Sequence, residues 1–242
     1  MTPERLYPVI EATWPAAEAM PHGPWTIRDG QGGGKRVSAA TARQPVTADD
    51  LPVAEEAMQA LGQTPLFMIR AGESALDALL EGYGYQVIDP VNIYAGAAAP
   101  LAVAPPQATA FAVWEPLAIQ LDIWAEGGIG APRIEVMRRA GFPKTAILLR
   151  DGQRAAATAF CGIHDNIAMI HALEVRAPCR RRGMGRNAVA QAAIWARANG
   201  ADRIAAVCTR ANTGANALYA SLGMACVGQY HYRIKPEEER AP

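Results

Sequence analysis

Along the second half of the chain the apolar positions change period in a regular order. A short β-prone run at Phe111 leads into two segments with helical spacing. Three strand-like stretches follow: Lys144 to Arg150, Ala155 to Ile163, and Ile167 to Val175. Asp151-Gly152 separates the first pair and His164-Asp165-Asn166 the second, which is turn chemistry suited to hairpins. Past Val175 the pattern becomes helical from Asn187 to Ala198, with Gly200 placed to end the helix. A strand from Arg203 to Thr209, a helical run ending at Gly223 and a β-prone tail from Ala225 to Arg233 complete the order. Consecutive antiparallel strands, then strand, helix, strand, helix, strand, predict an α/β protein: a mixed sheet with helices on its faces.

The first half carries a faint copy of that ending. Residues 78–85 (Ala-Leu-Leu-Glu-Gly-Tyr-Gly-Tyr) line up without gaps on Ala217 to Met224, and β-prone tails follow in both places, Gln86 to Tyr94 and Ala225 to Arg233. Between the halves, residues 95–107 are rich in Ala and Pro and suit a semi-extended connector. The expected division is an N-terminal domain over 1–97, a linker over 98–107 and a C-terminal domain over 108–242. A glycine-rich run from Asp29 to Arg36 imitates a nucleotide P-loop. It has Asp29 where the first glycine belongs and Arg36 where Ser or Thr belongs, so a hairpin tip is expected there.

Composition narrows the class. Half of the 242 residues are hydrophobic and 19% are charged, an ordinary balance for a globular protein. No apolar run reaches transmembrane length, and Met1-Thr2-Pro3-Glu4 does not open a signal peptide, so no membrane partner and a cytoplasmic location are expected. The four cysteines form no C-x-x-C pair, and no metal site is expected. Cys161, Cys208 and Cys226 lie in apolar strand contexts and read as small core residues; Cys179 flanks a group of arginines. Net charge is zero but unevenly placed: residues 1–105 hold 6 Lys+Arg against 12 Asp+Glu, and residues 106–242 hold 17 against 11. The basic residues gather at one turn without interleaved aromatics, which suits a polyanionic small molecule rather than nucleic acid.

That turn is Arg180-Arg181-Arg182-Gly183-Met184-Gly185-Arg186, with R-x-x-G-x-G spacing between a strand and a helix. A glycine turn opening a helix aims free backbone N–H groups at one point, and the positive helix end favours an anion there. Farther on, Asn212, Ala215, Leu218, Tyr219 and Gly223 meet the pattern N-x-x-A-x-x-L-Y-x-x-x-G-F, with Met224 in place of the Phe. With both motifs in order, the chain over roughly residues 108 to 235 resembles the GNAT superfamily of acyl-CoA-dependent N-acyltransferases. The resemblance implies a GNAT-like fold, acetyl-CoA as cosubstrate and a primary amine as acceptor, with a small molecule or a peptide as its source. It also implies two central strands that splay apart after the fourth strand. The main chain of Leu173 and Val175 would then hold the pantetheine arm. Arg180 and the amides of Arg181, Arg182, Gly183, Met184, Gly185 and Arg186 would hold the pyrophosphate, and Asn212 would steady the opposite wall. The N-terminal half would be a degenerate second copy, an arrangement similar to that of mycothiol synthase. It has no R-x-x-G-x-G turn, and Leu80 stands where Tyr219 would be.

Acyl transfer to an amine needs a base for the amine, donors for the oxyanion and a proton for the departing thiolate. By resemblance Tyr219 supplies that last proton and the Val175 N–H faces the oxyanion. His171 is the candidate base, since an imidazole titrates in the range where an amine can be deprotonated directly or through water. Period-two alternation places His171, Leu173 and Val175 on one face of their strand and Glu174 on the other. Glu174 is a second base candidate or an amine-orienting group. Met169 occupies the place where other family members carry a Glu base. Tyr230-His231-Tyr232-Arg233 would border the acceptor pocket in the family, though β-propensity and surface charge account for them equally. Direct attack in a ternary complex is expected. Two competing classes stand beside it: a non-catalytic acyl-CoA-binding or partner-binding module, favoured if His171 and Tyr219 are buried away from a cleft, and a nucleic-acid-binding domain using the arginines.

Overall fold

The computed structural model describes residues 1–236. In chain order the first elements are α1 (Pro3–Thr13), β1 (Glu18–His22), β2 (Trp25–Asp29), α2 (Lys35–Ser38), β3 (Thr41–Ala42), α3 (Leu51–Ala60), β4 (Leu66–Ile69), α4 (Ser74–Gly82) and β5 (Gln86–Ala97). There follow β6 (Ala110–Val113), α5 (Ala118–Glu126), α6 (Ala131–Arg139), β7 (Lys144–Asp151), β8 (Arg154–His164) and β9 (Ile167–Val175). The last are α7 (Met184–Ala198), β10 (Arg203–Thr209), α8 (Thr213–Ser221) and β11 (Ala225–Ile234). The expected α/β mixed sheet and its element order are found, and β9 and β10 have the expected bounds. The glycine-rich run near Asp29 is no hairpin tip: β2 ends there and the run opens the short helix α2.

Two compact units divide the chain differently from the expected breaks at 97 and 108. The first holds Met1–Pro15, Asn92–Cys208 and Asn212–Gly228; the second holds Ala16–Val91, Thr209–Ala211 and the described residues from Gln229 on. The N-terminal fifteen residues thus belong with the C-terminal elements. The expected linker region carries a short 3-10 turn, and its Ala98 and Leu101 are buried in the first unit's core. The tail of the expected C-terminal domain, residues 237–242, lies outside the described residues.

In the first unit the strand order is β10-β9-β8-β7-β6. β6 to β9 are antiparallel neighbours, while β10 is parallel to β9. The β8–β9 hairpin turns through Asp165 and Asn166, both with left-handed φ (47° and 61°), as a two-residue type I′ turn requires. One face of the sheet packs Ile147, Leu149, Ala157, Ala159, Cys161, Ala168 and Ile170 against the Ala-rich side of α7. Small residues on α7 and on β8 let the helix lie close to the strands, and Ile147, Leu149 and Ile170 fill the layer.

In the second unit β1, β2 and β3 form a three-stranded antiparallel sheet, and β4 pairs antiparallel with the end of β11. Its core gathers Trp25, Ile27, Leu51, Met58, Phe67, Leu76, Leu80 and Tyr85.

The faint sequence copy is also a structural one. After α8 the amides of Leu222, Gly223 and Met224 donate to Leu218, Ala220 and Tyr219 carbonyls; after α4 the amides of Tyr83, Gly84 and Tyr85 donate to Leu79, Glu81 and Leu80. Gly84 (φ 83°) and Gly223 (φ 73°) take the left-handed position that closes both helices. The ends of α3 and α7 match in the same way, through Gly62 and Gly200.

Candidate active site

The site begins where β9 and β10 part. Their parallel ladder runs from Arg203–Ile167 to Ala206–Ile170 and stops; residues 171–175 and 207–209 continue without pairing to each other. The Arg176 N–H donates to Ala156 O, toward β8. By alternation the main-chain groups of Leu173 and Val175 point the other way, into the opening. This is the splay that the resemblance implies, and both residues line it.

A β-bulge at the same place overturns the expected faces. The β8–β9 register passes from Phe160↔His171 to Thr158↔Glu174, so β9 advances three residues while β8 advances two. Ala172 takes up the extra residue with φ 50°. Residues directly opposite share a face, so His171 and Glu174 lie together, on the side of Phe160 and Thr158. Leu173 and Val175 turn to the α7 side, where they pack on the core. Glu174 is therefore on His171's face, contrary to simple alternation. The bulge carbonyl of Ala172 is held by Trp124 Nε1 of α5 at 2.8 Å. Gln120, also on α5, accepts from the Leu117 N–H and donates to the Thr158 hydroxyl at 3.1 Å, which ties the helix over this face.

The two acid–base candidates sit differently on that face. His171 is 4% exposed, with Nε2 at 2.8 Å from Thr13 Oγ1 and Trp14 packed on its ring. Glu174 is half-buried; burial raises its carboxyl above the ordinary carboxylate value, against the opposing pull of Arg180 and Arg133. Gly127, which ends α5, makes the space for it, since a Cβ there would lie 2.6 Å from Glu174 Cδ.

At the phosphate-type turn the residues divide the labour. Gly183 caps α7 with φ 80°, a conformation in which any side chain is strained. Gly185 serves packing: a Cβ there would meet Leu218 Cδ2 of α8 at 2.9 Å. Arg181 also has a left-handed φ of 60°. The Arg180 guanidinium donates back to Val175 O at 3.1 Å, and Arg182 pairs with Asp151 at the end of β7. Arg181 and Arg186 are exposed. The first amides of α7, at Met184, Gly185 and Arg186, have no preceding helical carbonyl to bond.

Tyr219 is 4% exposed and packs against Tyr94 at 5.4 Å. Burial, and secondarily Cys208, holds its phenol well above the ordinary value, so it stays protonated. Asn212 caps α8 by accepting the Ala215 N–H at 3.0 Å. Beside it Asn216 Oδ1 accepts from Asn92 (2.7 Å) and from the Tyr94 hydroxyl (3.0 Å), and Asn216 Nδ2 donates to Asn212 O. Asn92, Tyr94 and Asn216 were not among the sequence candidates, because only the fold brings β5 to α8. Burial pushes the Cys208 thiol up to about 11, away from a nucleophilic thiolate. Cys226 is exposed rather than a core residue.

The C-terminal strand's polar residues are already engaged within the second unit. His231 and Arg233 both bond Asp77, and the Tyr230 hydroxyl accepts from Arg36. A cavity of about 210 Å³ in that unit is lined by Arg70, Val87, Arg210 and His231, among others; Arg70 is ion-paired to Glu73. Among the described residues no cluster of His, Cys, Asp or Glu could hold a metal ion, and no helix is long and apolar enough to cross a membrane.

This geometry has counterparts in known proteins. Residues 114–224 match the acetyltransferase (GNAT) family. The chain is 24% identical over 236 residues to an uncharacterized N-acetyltransferase, YobR, of Bacillus subtilis (strain 168), covering 93% of this chain and 95% of that protein. In fold it is similar to a GCN5-related N-acetyltransferase from Kribbella flavida, with a TM-score of 0.76 at 17% identity over 99% of this chain and 97% of that one. It is also similar to a tandem GNAT protein from the clavulanic acid biosynthesis pathway, with a TM-score of 0.59 at 14% identity over 88% and 79% of the two chains. The family match spans only the C-terminal part, and the N-terminal region is consistent with a degenerate tandem copy.

Proposed function

We propose that this protein is an N-acetyltransferase that moves an acetyl or short acyl group from acyl-CoA to a primary amine in a ternary complex. The observation that carries the reading is the coincidence of three features at one place: the β9–β10 splay, the β9 bulge and the arginine-flanked N-terminus of α7. In this reading the Leu173 and Val175 main chain takes the pantetheine. The α7 amides take the pyrophosphate, with Arg181 and Arg186 adding charge. The amine enters on the face that carries His171 and Glu174. Glu174 holds it, His171 takes its proton directly or through a water, and the amine nitrogen attacks the thioester carbonyl. The oxyanion meets the Val175 N–H. The C–S bond then breaks, and Tyr219, still protonated, gives its proton to the thiolate of CoA. Neither a thiolate nor a serine need intervene: burial keeps the Cys208 thiol protonated.

Calorimetric titration of acetyl-CoA into wild type and into Arg181→Glu, Arg186→Glu tests the reading. Both positions are exposed, so the double variant should fold. Binding to wild type, weakened at least about tenfold in the variant by like-charge repulsion, supports the site and opens a screen of amines by CoA release. Binding without turnover on any amine favours the non-catalytic module, the alternative toward which the burial of His171 and Tyr219 (4% exposed each) points. No binding to wild type removes the acyltransferase reading.

A further inference from the structure

We propose that the acceptor is a primary amine that carries its own carboxylate, as an amino acid does, and that Arg133 is the residue that takes that carboxylate. The inference rests on the reading above, in which Glu174 holds the amine, and it names the substrate class of that site. It starts from what α5 builds beside Glu174. Gln120 and Trp124 hold the helix on β8 and β9, through the Thr158 hydroxyl and the Ala172 carbonyl. At the helix end Arg176 grips Glu126 with two hydrogen bonds, 2.9 Å from Nε and 2.7 Å from Nη2, while its Nη1 donates to Ala155 O at 3.1 Å. The next residue, Gly127, is the one whose missing side chain leaves Glu174 its space. The chain then turns tightly, with the Ile129 N–H donating to Trp124 O (2.8 Å) and the Arg133 N–H to Gly130 O (3.0 Å). Arg133 thus stands in the first turn of α6, directly after the turn that borders Glu174.

The charges in this corner are unevenly matched. Glu126 and Arg176 neutralise each other. Among the described residues, the Glu174 carboxylate and the Arg133 guanidinium make no hydrogen bond or ion pair of bonding length. They are nevertheless close enough to interact: burial raises the Glu174 carboxyl, and Arg180 and then Arg133 pull against it. Arg180 already donates from Nε to Val175 O, whereas Arg133 is exposed with its planar fork unspent. One carboxylate therefore meets two guanidiniums that come from different elements. A bare amine suits such a place poorly, because its positive charge is drawn to Glu174 and repelled by both arginines. An amine with a carboxylate a few bonds away satisfies both signs. Its nitrogen goes to Glu174, and its two oxygens go to the Arg133 fork, which can bond both at once. Half-burial strengthens both pairings relative to open water. A free amino acid has this chemistry, and so does a peptide that begins with Asp or Glu.

The test uses the full-length chain and reads CoA release from acetyl-CoA. The acceptors are the common amino acids, their methyl esters, the carboxylate-free amines tyramine, phenethylamine and spermidine, and the amides of Asp-Ala, Glu-Ala and Ala-Ala. An acid is expected to exceed its own ester in kcat/KM by at least about tenfold. If the source is a peptide end, the same preference appears as Asp-Ala or Glu-Ala over Ala-Ala. Arg133→Gln, at an exposed position, should raise KM for the preferred acceptor about ten- to a hundredfold, leave KM for acetyl-CoA unchanged and bring acid and ester level. Arg133→Lys keeps the charge without the fork and should fall between. Esters, carboxylate-free amines or Ala-Ala used as well as the acids overturn the proposal and leave the acyltransferase reading standing. So does an Arg133→Gln protein that keeps the preference, or one that changes KM for acetyl-CoA alone, which would give Arg133 to the cofactor. Turnover on no amine, although acetyl-CoA binds, overturns both.

Discussion

The N-terminus of α7 and that of α3 occupy matching places in the two copies of one motif, yet they are built oppositely. Both helices end in the same glycine cap, so the difference lies at their beginnings. α7 runs fifteen residues and opens from a left-handed glycine among four arginines, with its first amides free of helical partners. α3 runs ten. Its approach, Thr47-Ala48-Asp49-Asp50, is acidic, and Asp50 Oδ2 accepts both the Thr47 amide (2.8 Å) and the Thr47 hydroxyl (2.7 Å). Pro52 removes another donor from the first turn. At each strand opening an arginine guanidinium donates to a strand carbonyl: Arg180 to Val175 O at 3.1 Å and Arg70 to Ala42 O at 2.6 Å, but only Arg70 is clamped by a carboxylate, that of Glu73. The two copies thus differ in charge at the helix N-terminus: basic and with free first-turn amides at α7, acidic and self-bonded at α3. In the proposed reading that charge decides which copy binds acyl-CoA.

The comparison can be broken at several points. The largest effect is expected at Tyr219. Tyr219→Phe should lower kcat by about 10²- to 10⁴-fold with little change in acetyl-CoA affinity, measured by stopped CoA release; its counterpart Leu80 has no such role. An unchanged kcat would make Tyr219 a core residue, on a par with Leu80. Next comes the charge of the two turns. Arg181→Glu with Arg186→Glu should weaken acetyl-CoA binding about ten- to a hundredfold, one charge-assisted contact being worth about 1.5–3 kcal/mol. Asp50→Ala, at the corresponding end of α3, should lower Tm slightly and leave acetyl-CoA affinity alone.

Glu174 gives a smaller, pH-dependent effect. Its carboxyl must be ionised to hold an amine, and burial raises the pH at which it gains its proton. KM for the amine should therefore climb, as pH falls, sooner than an unperturbed glutamate would cause, and Glu174→Gln should abolish that component. The sign for stability is opposite. A carboxyl raised in the folded state costs stability once pH exceeds its folded value and costs nothing below its unfolded one. Glu174→Gln should accordingly raise Tm at neutral pH while lowering turnover, and the gain should vanish in acid. The smallest effect is at Gly183. With open space around it, Gly183→Ala meets only the left-handed φ, about 1–2 kcal/mol, read by denaturant melts.

Much of this site was legible in the chain. The bounds of β9 and β10, the turn between them and the glycine that ends α7 all follow from local period and turn chemistry, which act over a few residues. The repeat at 78–85 and 217–224 was legible for the same reason, since a helix cap is a local structure. The faces of β9 were not. Alternation holds only while a strand is regular, and nothing about Ala172 as a residue announces a left-handed φ; the bulge comes from how β9 pairs with β8 and how Trp124 holds its carbonyl.

The amino-acid sequence by itself determined the order of elements, the arginine-flanked turn and the two-motif spacing of the C-terminal half, because each is written in neighbouring residues. Only the tertiary structure decided that His171 and Glu174 share a face, that Asn92, Tyr94 and Asn216 meet beside Tyr219, and that Thr13 reaches His171 across 158 positions of chain. The physical reason is that packing and hydrogen bonding answer to distance in space. A helix with prolines at 3 and 8 has no local signature tying it to a strand so far along the chain. It is the room left by two glycines, 162 and 228, that seats it there.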